Sequence, residues 1–482
     1  MEQNRIITAA TRMTIAVLVL FMVSFTIDLV YGDLSWNNFH IFVIPFSFGA
    51  LIYLIFSFRD TKYRLFRRRT RYATALISFL FMVFLGSLPL MLTERLDPVS
   101  ALFESGAGFT TTGLSAIGSE ELRDVSHGLL FFRVAIQWLG GLFYLVFAFL
   151  FLSDISDSAQ RSADRRIFSR IGLVPTLTTL IQKLTVIYGL FTFFSALAFY
   201  IGGRTLFDSV CLSMATISTG GFSSEGRILG EGSVILLLVT LGMFVTGMGY
   251  YVHISLLSAR GRSRTLFDNE NITYIIIALT VPVLGLMILL SSGVPFGTSV
   301  LNGLFTTISA LTTTGFMVEG MDDWPDSMKM LLLLLMLLGG SSLSLSSGFK
   351  VHRFFLLIKG FLAEVKRSSH PSAVFSLKRG EGIYSEKALE SANMSFFYLF
   401  SLLVISMGIL LLFHGNLFET LSLSVTSISN SGIAFGTFST VEGISSLNWF
   451  EKSLLLVIMF LGRFEVLLPL YVLSLRGRRF TG

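Results

Sequence analysis

Four short segments, each a cluster of Ser, Thr or Asn residues that ends on glycine, recur along this chain. They are 109–114 (FTTTGL), 217–222 (ISTGGF), 311–316 (LTTTGF) and 428–433 (ISNSGI). If Gly113, Gly220, Gly315 and Gly432 are taken as equivalent, successive copies are separated by roughly one hundred residues. A recurring interval of this kind indicates four structural units of similar design.

The composition is typical of a membrane protein. Hydrophobic residues make up 53% of the 482 residues and charged residues 14%, against about 25% charged residues in ordinary soluble domains. The single cysteine, Cys211, excludes an intrachain disulfide framework and a cysteine-rich metal site. The six histidines are scattered, without the polar cluster that a membrane-embedded transferase needs. The sequence therefore predicts a polytopic membrane protein that is not an enzyme and carries no covalently bound cofactor.

Basic residues are clustered between the apolar runs, and their placement predicts the topology. The clusters lie at 59–71, 161–170, 260–264, 350–387 and 476–479. Acidic or neutral connections, such as 120–121 and 322–326, alternate with them. The positive-inside rule then places every basic cluster, together with the N- and C-termini, in the cytoplasm. This distribution explains the basic excess by contact with membrane lipid, so no nucleic-acid partner is expected.

The apolar runs predict an all-α membrane protein with two N-terminal spans and four following units. Each unit has a first span, a short apolar segment, the Ser/Thr-Gly loop and a second span, an M1–P-loop–M2 arrangement with pseudo-fourfold symmetry around one pore. The short segments have about 11 to 13 residues, too few to cross a bilayer as helix, and are expected to be re-entrant half-helices around a water-filled cavity. The second spans are expected near 127–152, 232–257, 328–348 and 449–475. The predicted division is 1–71 for the N-terminal spans, then units at 72–181, 182–270, 271–392 and 393–482.

The four loops have the chemistry of a cation filter. A dehydrated cation needs oxygen atoms in place of water, and four loops around an axis offer rings of backbone carbonyls. Glycine permits φ > 0, which lets consecutive carbonyls face one side, and half-helices add partial negative charge at their C-terminal ends. The predicted filter residues are Thr110, Thr111, Thr112, Gly113, Ser218, Thr219, Gly220, Thr312, Thr313, Thr314, Gly315, Ser429, Asn430, Ser431 and Gly432.

At these loops and in flanking segments the sequence resembles the pore subunit of the Trk/Ktr/HKT superfamily of cation transporters, its bacterial Trk branch most of all. The matching segments are 102–104 (LFE), 108–113 (GFTTTG), 137–141 (QWLGG), 208–211 (DSVC), 217–223 (ISTGGFS), 312–316 (TTTGF) and 461–465 (LGRFE). The resemblance covers essentially the whole chain and implies potassium uptake across the bacterial inner (cytoplasmic) membrane. Four filter glycines imply a preference for potassium over sodium. The permeant K+ is expected at Thr112, Thr219, Thr314 and Ser431.

The resemblance also implies a gate below the filter, in the second span of the third unit. That segment here contains more serine than the glycine-rich gate of the family, together with two leucines. The alternative is a serine-rich face for helix packing. The fourth filter loop departs as well, because it lacks a Gly-Pro-Gly type sequence. The expected gate residues are Gly339, Gly340, Ser341, Ser342, Ser344, Ser346, Ser347, Gly348, Lys350 and Arg463.

Charged residues within the apolar segments have two interpretations each. Arg463 either raises the barrier to ions or forms a salt bridge with Glu465 or Glu104, because an isolated charge inside the membrane is costly. Glu104 and Asp208 either attract cations or, as favoured here, tie the half-helices to neighbouring loops. Lys350 either lies at the inner end of the gate or extends to the membrane surface.

Two transport mechanisms and several partners follow as expectations. The chain is either a potassium pore gated from the cytoplasm or a proton- or sodium-coupled potassium symporter with Glu104 and Asp208 as candidate sites. The resemblance implies a homodimer and a cytoplasmic nucleotide-binding regulator ring, since the chain itself has neither a Walker A nor a Rossmann motif. The basic segment 350–387 is expected to dock this regulator or to contact anionic lipid. Gln137 and Trp138 either pack beneath the first filter loop or, for the tryptophan, serve simple packing between spans.

Overall fold

The computed structural model describes residues 14–33, 39–57, 68–93, 96–118, 125–156, 177–222, 224, 232–257, 268–369, 378–379, 382–383 and 386–464. These residues are helical apart from their connections and one pair of two-residue strands. The prediction of an all-α membrane protein is therefore confirmed.

Two helices precede the units, α1 (Ile15–Tyr31) and α2 (His40–Ser57). The first unit contains α3 (Arg68–Leu92), the short α4 (Pro98–Phe109) and α5 (His127–Ser156). The second unit contains α6 (Leu177–Ile201), the short α7 (Leu206–Ser218) and a second span in two parts, α8 (Ser233–Gly247) and α9 (Tyr250–Leu257).

The third unit contains α10 (Asn269–Ser291), the short α11 (Phe296–Leu311), α12 (Asp326–Leu338) and α13 (Val351–Ser369). The antiparallel strands β1 (Lys378–Arg379) and β2 (Gly382–Ile383) follow it. The fourth unit contains α14 (Glu386–Leu411), the short α15 (Leu417–Ser429), the one-turn α16 (Val441–Ser445) and α17 (Trp449–Phe464).

Five helical stretches among the described residues are long and apolar enough to cross a membrane: Thr74–Leu92, His127–Phe149, Thr179–Ile201, Asn269–Ser291 and Ala388–Leu411. They are the first helices of all four units and the second helix of the first unit. Many large apolar side chains on these helices are exposed, as on α6 and α14, which is what contact with lipid tails requires.

The short helix of each unit begins at a local capping signal. Asp97 has extended backbone and accepts hydrogen bonds from the amides of Val99 and Ser100, with Pro98 in the first helical position. Thr205 and Asn416 cap α7 and α15 in the same way, whereas α11 starts after Pro295 without a side-chain cap. Side-chain caps and an N-terminal proline satisfy or remove the unpaired amides of a first turn. The predicted half-helices therefore begin where the sequence provides these residues.

The four units pack in a closed cyclic order. Each short helix contacts the first helix of its own unit, and it also contacts the second helix of the unit before it: α5 packs on α7, α8 on α11, α12 on α15 and α17 on α4. The contact between α17 and α4 joins the last unit to the first. This arrangement places the C-terminal ends of all four short helices around a common centre.

The second spans of the second and third units are not continuous helices. The span expected at 232–257 is broken between Gly247 and Tyr250, and its halves are bent by 93°. The span expected at 328–348 stops as helix at Leu338, and residues 339–350 have no helical turn. Both breaks contain glycine pairs or serine runs, which weaken a helix.

The first helices begin a few residues before the predicted unit boundaries. The boundaries at 71/72, 181/182, 270/271 and 392/393 fall within α3, α6, α10 and α14 respectively. The reason is that these helices start with polar residues, so an apolar run marks their beginning too late. The order of the units is unchanged by this correction.

Candidate functional site

All four Ser/Thr-Gly loops have one backbone conformation. One or two residues beyond the end of each short helix, one residue has left-handed backbone: φ is 56° at Thr111, 53° at Thr219, 52° at Thr313 and 50° at Asn430. Two residues later a glycine also has positive φ, in the range 75° to 88°. Positive φ is rare for β-branched residues such as threonine, and strain of this kind is concentrated at functional sites. The shared conformation makes the four loops structurally equivalent.

The glycine of the second loop is Gly221, not the predicted Gly220. Gly221 has φ 77°, like Gly113 with 75°, Gly315 with 88° and Gly432 with 77°, whereas Gly220 has no positive φ. Gly220 is the residue before the positive-φ glycine. The equivalent residues in the other three loops are Thr112, Thr314 and Ser431. The amide of each of these four residues donates to the carbonyl five residues upstream, over 2.8 to 3.1 Å.

The equivalence could have been found in the sequence. In every loop an apolar residue lies four positions before the positive-φ glycine: Phe109, Ile217, Leu311 and Ile428. Aligning the loops on the glycine doublet alone leaves two registers, and the positive φ of Gly221 favours the second.

The loops contact one another in the cyclic order of the units. A Cβ placed on Gly113 would come closer than 3.0 Å to the carbonyl oxygen of Gly220. The same is true of Gly221 with the carbonyl of Thr314, and of Gly315 with the carbonyl of Ser431. The ring is completed by Asn430, whose Nδ2 donates to Thr112 Oγ1 over 2.9 Å. Each loop therefore lies against the next around a single centre.

The ring is buried and contains oxygen atoms without hydrogen-bond partners. The side chains of the eleven residues 110–112, 218–219, 312–314 and 429–431 are 0% or 1% exposed. Thr111 Oγ1, Thr219 Oγ1 and Asn430 Oδ1 have no hydrogen-bond partner. Buried polar atoms are normally paired, so such oxygens, together with the C-terminal ends of four helices, form a site suited to a cation.

Gln137 on α5 fixes the second loop. Its Nε2 donates to the Gly220 carbonyl over 2.6 Å, and its Oε1 accepts from the Phe222 amide over 3.1 Å. Gln137 also lies near the first loop, because a Cβ placed on Gly113 would be 3.7 Å from its Nε2; its hydrogen bonds, however, go to the second loop. Trp138 packs on α6, with Nε1 donating to Thr192 Oγ1 and its carbonyl accepting from Tyr188.

Glu104 ties the first half-helix to the chain that follows the first loop. Its oxygens accept from the Ala116 amide over 2.8 Å, from Ser115 Oγ over 3.1 Å and from Arg133 over 2.5 Å. Glu104 and Arg133 are 0% and 2% exposed, and Arg133 also lies over the Phe222 ring. The favoured interpretation of Glu104 as a structural tie is confirmed, and a salt bridge between Glu104 and Arg463 is excluded because Glu104 pairs with Arg133.

Asp208 has the equivalent structural role in the second unit. Its carboxylate accepts from Thr205 Oγ1 over 2.6 Å and from Ser224 Oγ over 2.8 Å. These bonds connect the start of α7 with the chain beyond the second loop, as the tie interpretation expected.

The serine-rich segment 339–350 forms a compact non-helical loop. Gly339, Leu343, Gly348 and Lys350 all have positive φ, and Ser346 Oγ accepts from the Gly340 amide and bonds Ser344 Oγ. The alternative of a serine-rich helix-packing face is therefore wrong. Lys350 is 4% exposed, and its ammonium donates to the Ser346 carbonyl. It folds back into the segment and does not extend to the membrane surface.

The segment contacts the filter ring directly. The Ser347 amide donates to Thr313 Oγ1 over 2.9 Å. Thr313 lies two residues beyond the end of α11 and has left-handed backbone. The segment is therefore in direct contact with the third loop of the ring.

Arg463 on α17 holds the same segment. Its Nη1 donates to the Leu345 carbonyl over 2.9 Å and to Ser347 Oγ over 2.8 Å, and its guanidinium lies 3.9 Å from the centre of the Tyr144 ring. The side chain is 1% exposed. Glu465, the other proposed salt-bridge partner, lies outside the described residues.

Two charged residues of this region were not singled out from the sequence. Arg133 stands within the apolar run 127–152, and that position alone was a signal for a buried partner such as Glu104. Glu270 at the start of α10 contacts the serine-rich segment, which no spacing in the sequence could have revealed, since the two are about seventy residues apart.

Comparisons with known proteins match the chain to one family of transport proteins and to a solved structure of the same fold. Residues 34–475 match the family model TrkH, described as "Cation transport protein". The chain is 30% identical over 404 residues to the Trk system potassium uptake protein TrkH of Salmonella typhimurium, covering 81% of this chain and 83% of the relative. It is 29% identical to the TrkH of Halomonas elongata, over 91% and 92% of the two chains. The crystal structure of the potassium transporter TrkH from Vibrio parahaemolyticus superposes with a TM-score of 0.87 and 25% identity over the whole of both chains.

Proposed function

Because the chain belongs to the TrkH family of cation transport proteins, we propose that it takes up potassium through a pore formed within the single subunit. The observation that carries this proposal is the cyclic contact of four loops with the same strained backbone around one buried centre. A ring of this kind replaces the water of a dehydrated ion by fixed oxygens. The relatives named above are potassium uptake proteins of the Trk system, which supports potassium as the ion.

The proposed ion-binding ring consists of the carbonyl oxygens at Thr112, Gly220, Thr314 and Ser431. Gly220 replaces Thr219, the residue first expected at this position. Like the other three residues, Gly220 donates its amide to the carbonyl five residues upstream and precedes the positive-φ glycine. The four short helices contribute partial negative charge at this level. A cation therefore replaces its hydration oxygens here without a formal negative charge that would hold it too tightly.

Segment 339–350, with Arg463, is the proposed gate. The segment contacts the third loop of the ring through Ser347 and Thr313, and Arg463 adds a positive charge that is held there by Leu345 and Ser347. A buried cation repels a permeating cation, so this arrangement describes a closed pathway. Conduction requires the segment to move away from the axis.

A coupled symporter needs a titratable or ion-binding group in the pathway. The two candidates from the sequence, Glu104 and Asp208, are both engaged in ties between a half-helix and the following chain. This engagement favours the pore over the coupled mechanism.

The proposed setting is the bacterial inner membrane, with a homodimer above a cytoplasmic nucleotide-binding regulator. Helix α13 supports a docking role on the cytoplasmic side. Its apolar residues Phe354, Ile358, Phe361 and Leu362 are exposed, next to the basic residues of the segment 350–387. An exposed patch of this composition is typical of an interaction surface.

The proposal is tested by uptake of rubidium tracer into proteoliposomes that contain the purified chain. Uptake should be suppressed by potassium at much lower concentrations than by sodium, and protein-free liposomes should show none. Uptake that is equally insensitive to both ions would contradict a potassium filter. Uptake driven by an imposed proton or sodium gradient would instead favour the symporter.

A further inference from the structure

Glu270 is a buried carboxylate on the cytoplasmic end of the first helix of the third unit. It is the second residue of α10 and is 8% exposed. The neighbouring Asp268 already caps this helix, with its Oδ1 accepting from the Asn269 amide. Glu270 is therefore not needed to begin the helix.

The carboxylate of Glu270 is directed at the serine-rich segment. Oε1 accepts from Ser341 Oγ over 2.7 Å and from the Ser342 amide over 2.5 Å. Oε2 lies 3.8 Å from Nδ1 of His352, in the first turn of α13. Hydrogen bonds to an ionised acceptor are stronger than neutral ones, so one side chain holds both the segment and the helix that leads from it into the cytoplasm.

The part of the segment that Glu270 holds is also attached to the broken span of the second unit. The Ser341 amide donates to the Gly247 carbonyl over 3.0 Å, and the Tyr250 amide donates to the Leu343 carbonyl over 3.0 Å. Gly247 and Tyr250 are the two ends of the 93° break. The residue after Glu270, Asn271, accepts from Tyr251 over 3.2 Å. The start of α10 thus joins the segment to the break.

We infer that Glu270 is a positioning residue that holds segment 339–350 in the pore-closing conformation, and that releasing it frees the segment. The inference depends on the proposed function in one respect, because only that proposal identifies the observed conformation of the segment as the closed one. Two of the attachments of the segment, at Thr313 and at Arg463, join it to the ring and to α17, while Glu270 joins it to the start of α10, which the positive-inside rule places at the cytoplasmic side. A movement of α13 therefore acts first on the Glu270 contacts, through His352 and Ser341.

The position of the segment is measured by the reactivity of an introduced cysteine. Leu345→Cys places a thiol at a side chain that is 0% exposed, and it leaves the backbone bond to Arg463 in place. The single native cysteine, Cys211, is 0% exposed, so the parent chain serves as its control. The reagent is a charged, membrane-impermeant methanethiosulfonate applied to protein in nanodiscs.

Glu270→Ala is expected to raise the modification rate at Leu345→Cys by about tenfold or more, and Glu270→Gln by less, because an amide oxygen still accepts the two hydrogen bonds. Asp268→Asn, two residues away on the same helix, is the matched control and should change the rate less than about twofold. Ser341→Ala should raise the rate, and it should add little to Glu270→Ala, since both remove the same contact.

An unchanged rate in a folded, monodisperse Glu270→Ala protein overturns the inference. Should that variant fail to fold, unchanged rates in both Glu270→Gln and Ser341→Ala overturn it equally. Rubidium uptake is measured on the same variants reconstituted into proteoliposomes. A higher modification rate without higher uptake would support the positioning role of Glu270 and contradict the segment as the barrier, so the two proposals fail separately.

Discussion

Replacing Gly221 with alanine is expected to weaken the preference for potassium, because this glycine has the positive-φ place in the second loop. Gly221 has φ 77°, and left-handed backbone costs an L-residue about 1–2 kcal/mol. The new Cβ would lie 2.5 Å from the carbonyl oxygen of Thr314. Relief of this contact has to move that carbonyl, which belongs to the proposed ion ring. A loss of about 1–2 kcal/mol in ion binding corresponds to a factor of roughly 5–30.

The assay is rubidium uptake into proteoliposomes, with the half-inhibiting concentrations of potassium and sodium compared. Their ratio should fall by roughly 5–30-fold in Gly221→Ala. Gly293→Ala is the matched control, because Gly293 has φ 82° and a Cβ there would meet nothing within 4 Å. The Gly293→Ala variant has the same backbone strain but no contact with the ring. Its ratio of half-inhibiting potassium and sodium concentrations should therefore stay within about twofold of the parent value.

Gly220→Ala separates the two registers of the second loop. The three atoms nearest a Cβ on Gly220 all belong to the side chain of Gln137, so the effect of this substitution should act through the Gln137 contacts. The reasoning is refuted if folded Gly221→Ala keeps the parent ratio of potassium to sodium inhibition. It is refuted most clearly if Gly220→Ala alone abolishes the preference.

Three further variants test charged groups around the pore. Arg463→Ala should raise rubidium uptake by about tenfold, the factor that corresponds to a barrier lower by about 1.4 kcal/mol, and unchanged uptake in a folded variant would exclude a barrier role. Arg133→Met leaves the buried Glu104 without its charge partner and should cost about 3–5 kcal/mol of stability; in thermal melts, Glu104→Gln in the same chain should restore part of the loss, and no restoration would argue against the pair. Burial raises the pKa of the Asp33 carboxyl, but the hydrogen bonds from His127 outweigh it and hold the pKa below the ordinary 3.8. The stability from this carboxylate is therefore present above pH 3.8 and lost as the pH falls through its lowered folded-state pKa, so Asp33→Asn should make melting less dependent on acid; equal acid sensitivity in both proteins would contradict this.

The units and their short helices could be predicted because the signals for them are local. A half-helix of about a dozen residues is too short to span a bilayer whatever surrounds it, and capping residues such as Asp97, Thr205 and Asn416 begin it wherever it lies. The basic clusters act at the nearest membrane surface and therefore predict topology without knowledge of the packing.

The register of the second loop could not be decided by composition. Gly220 and Gly221 both tolerate positive φ, so the glycine doublet alone leaves two registers. The apolar residue four positions before the positive-φ glycine of every loop indicates Gly221. The contact of Gly221 with Thr314 of the next unit, which local propensity does not describe, agrees with it.

Sequence alone determined that this is a helical membrane protein with four similar units and four glycine loops. The signals for these features, namely segment length, apolarity and the placement of charges, each depend only on residues close together in the sequence. The partners of the buried charges were decided only by the tertiary structure. Glu104 pairs with Arg133, Arg463 holds Leu345 and Ser347, and Glu270 reaches a segment about seventy residues away. A buried charge must find a partner, but which partner it finds depends on how the helices pack around the pore.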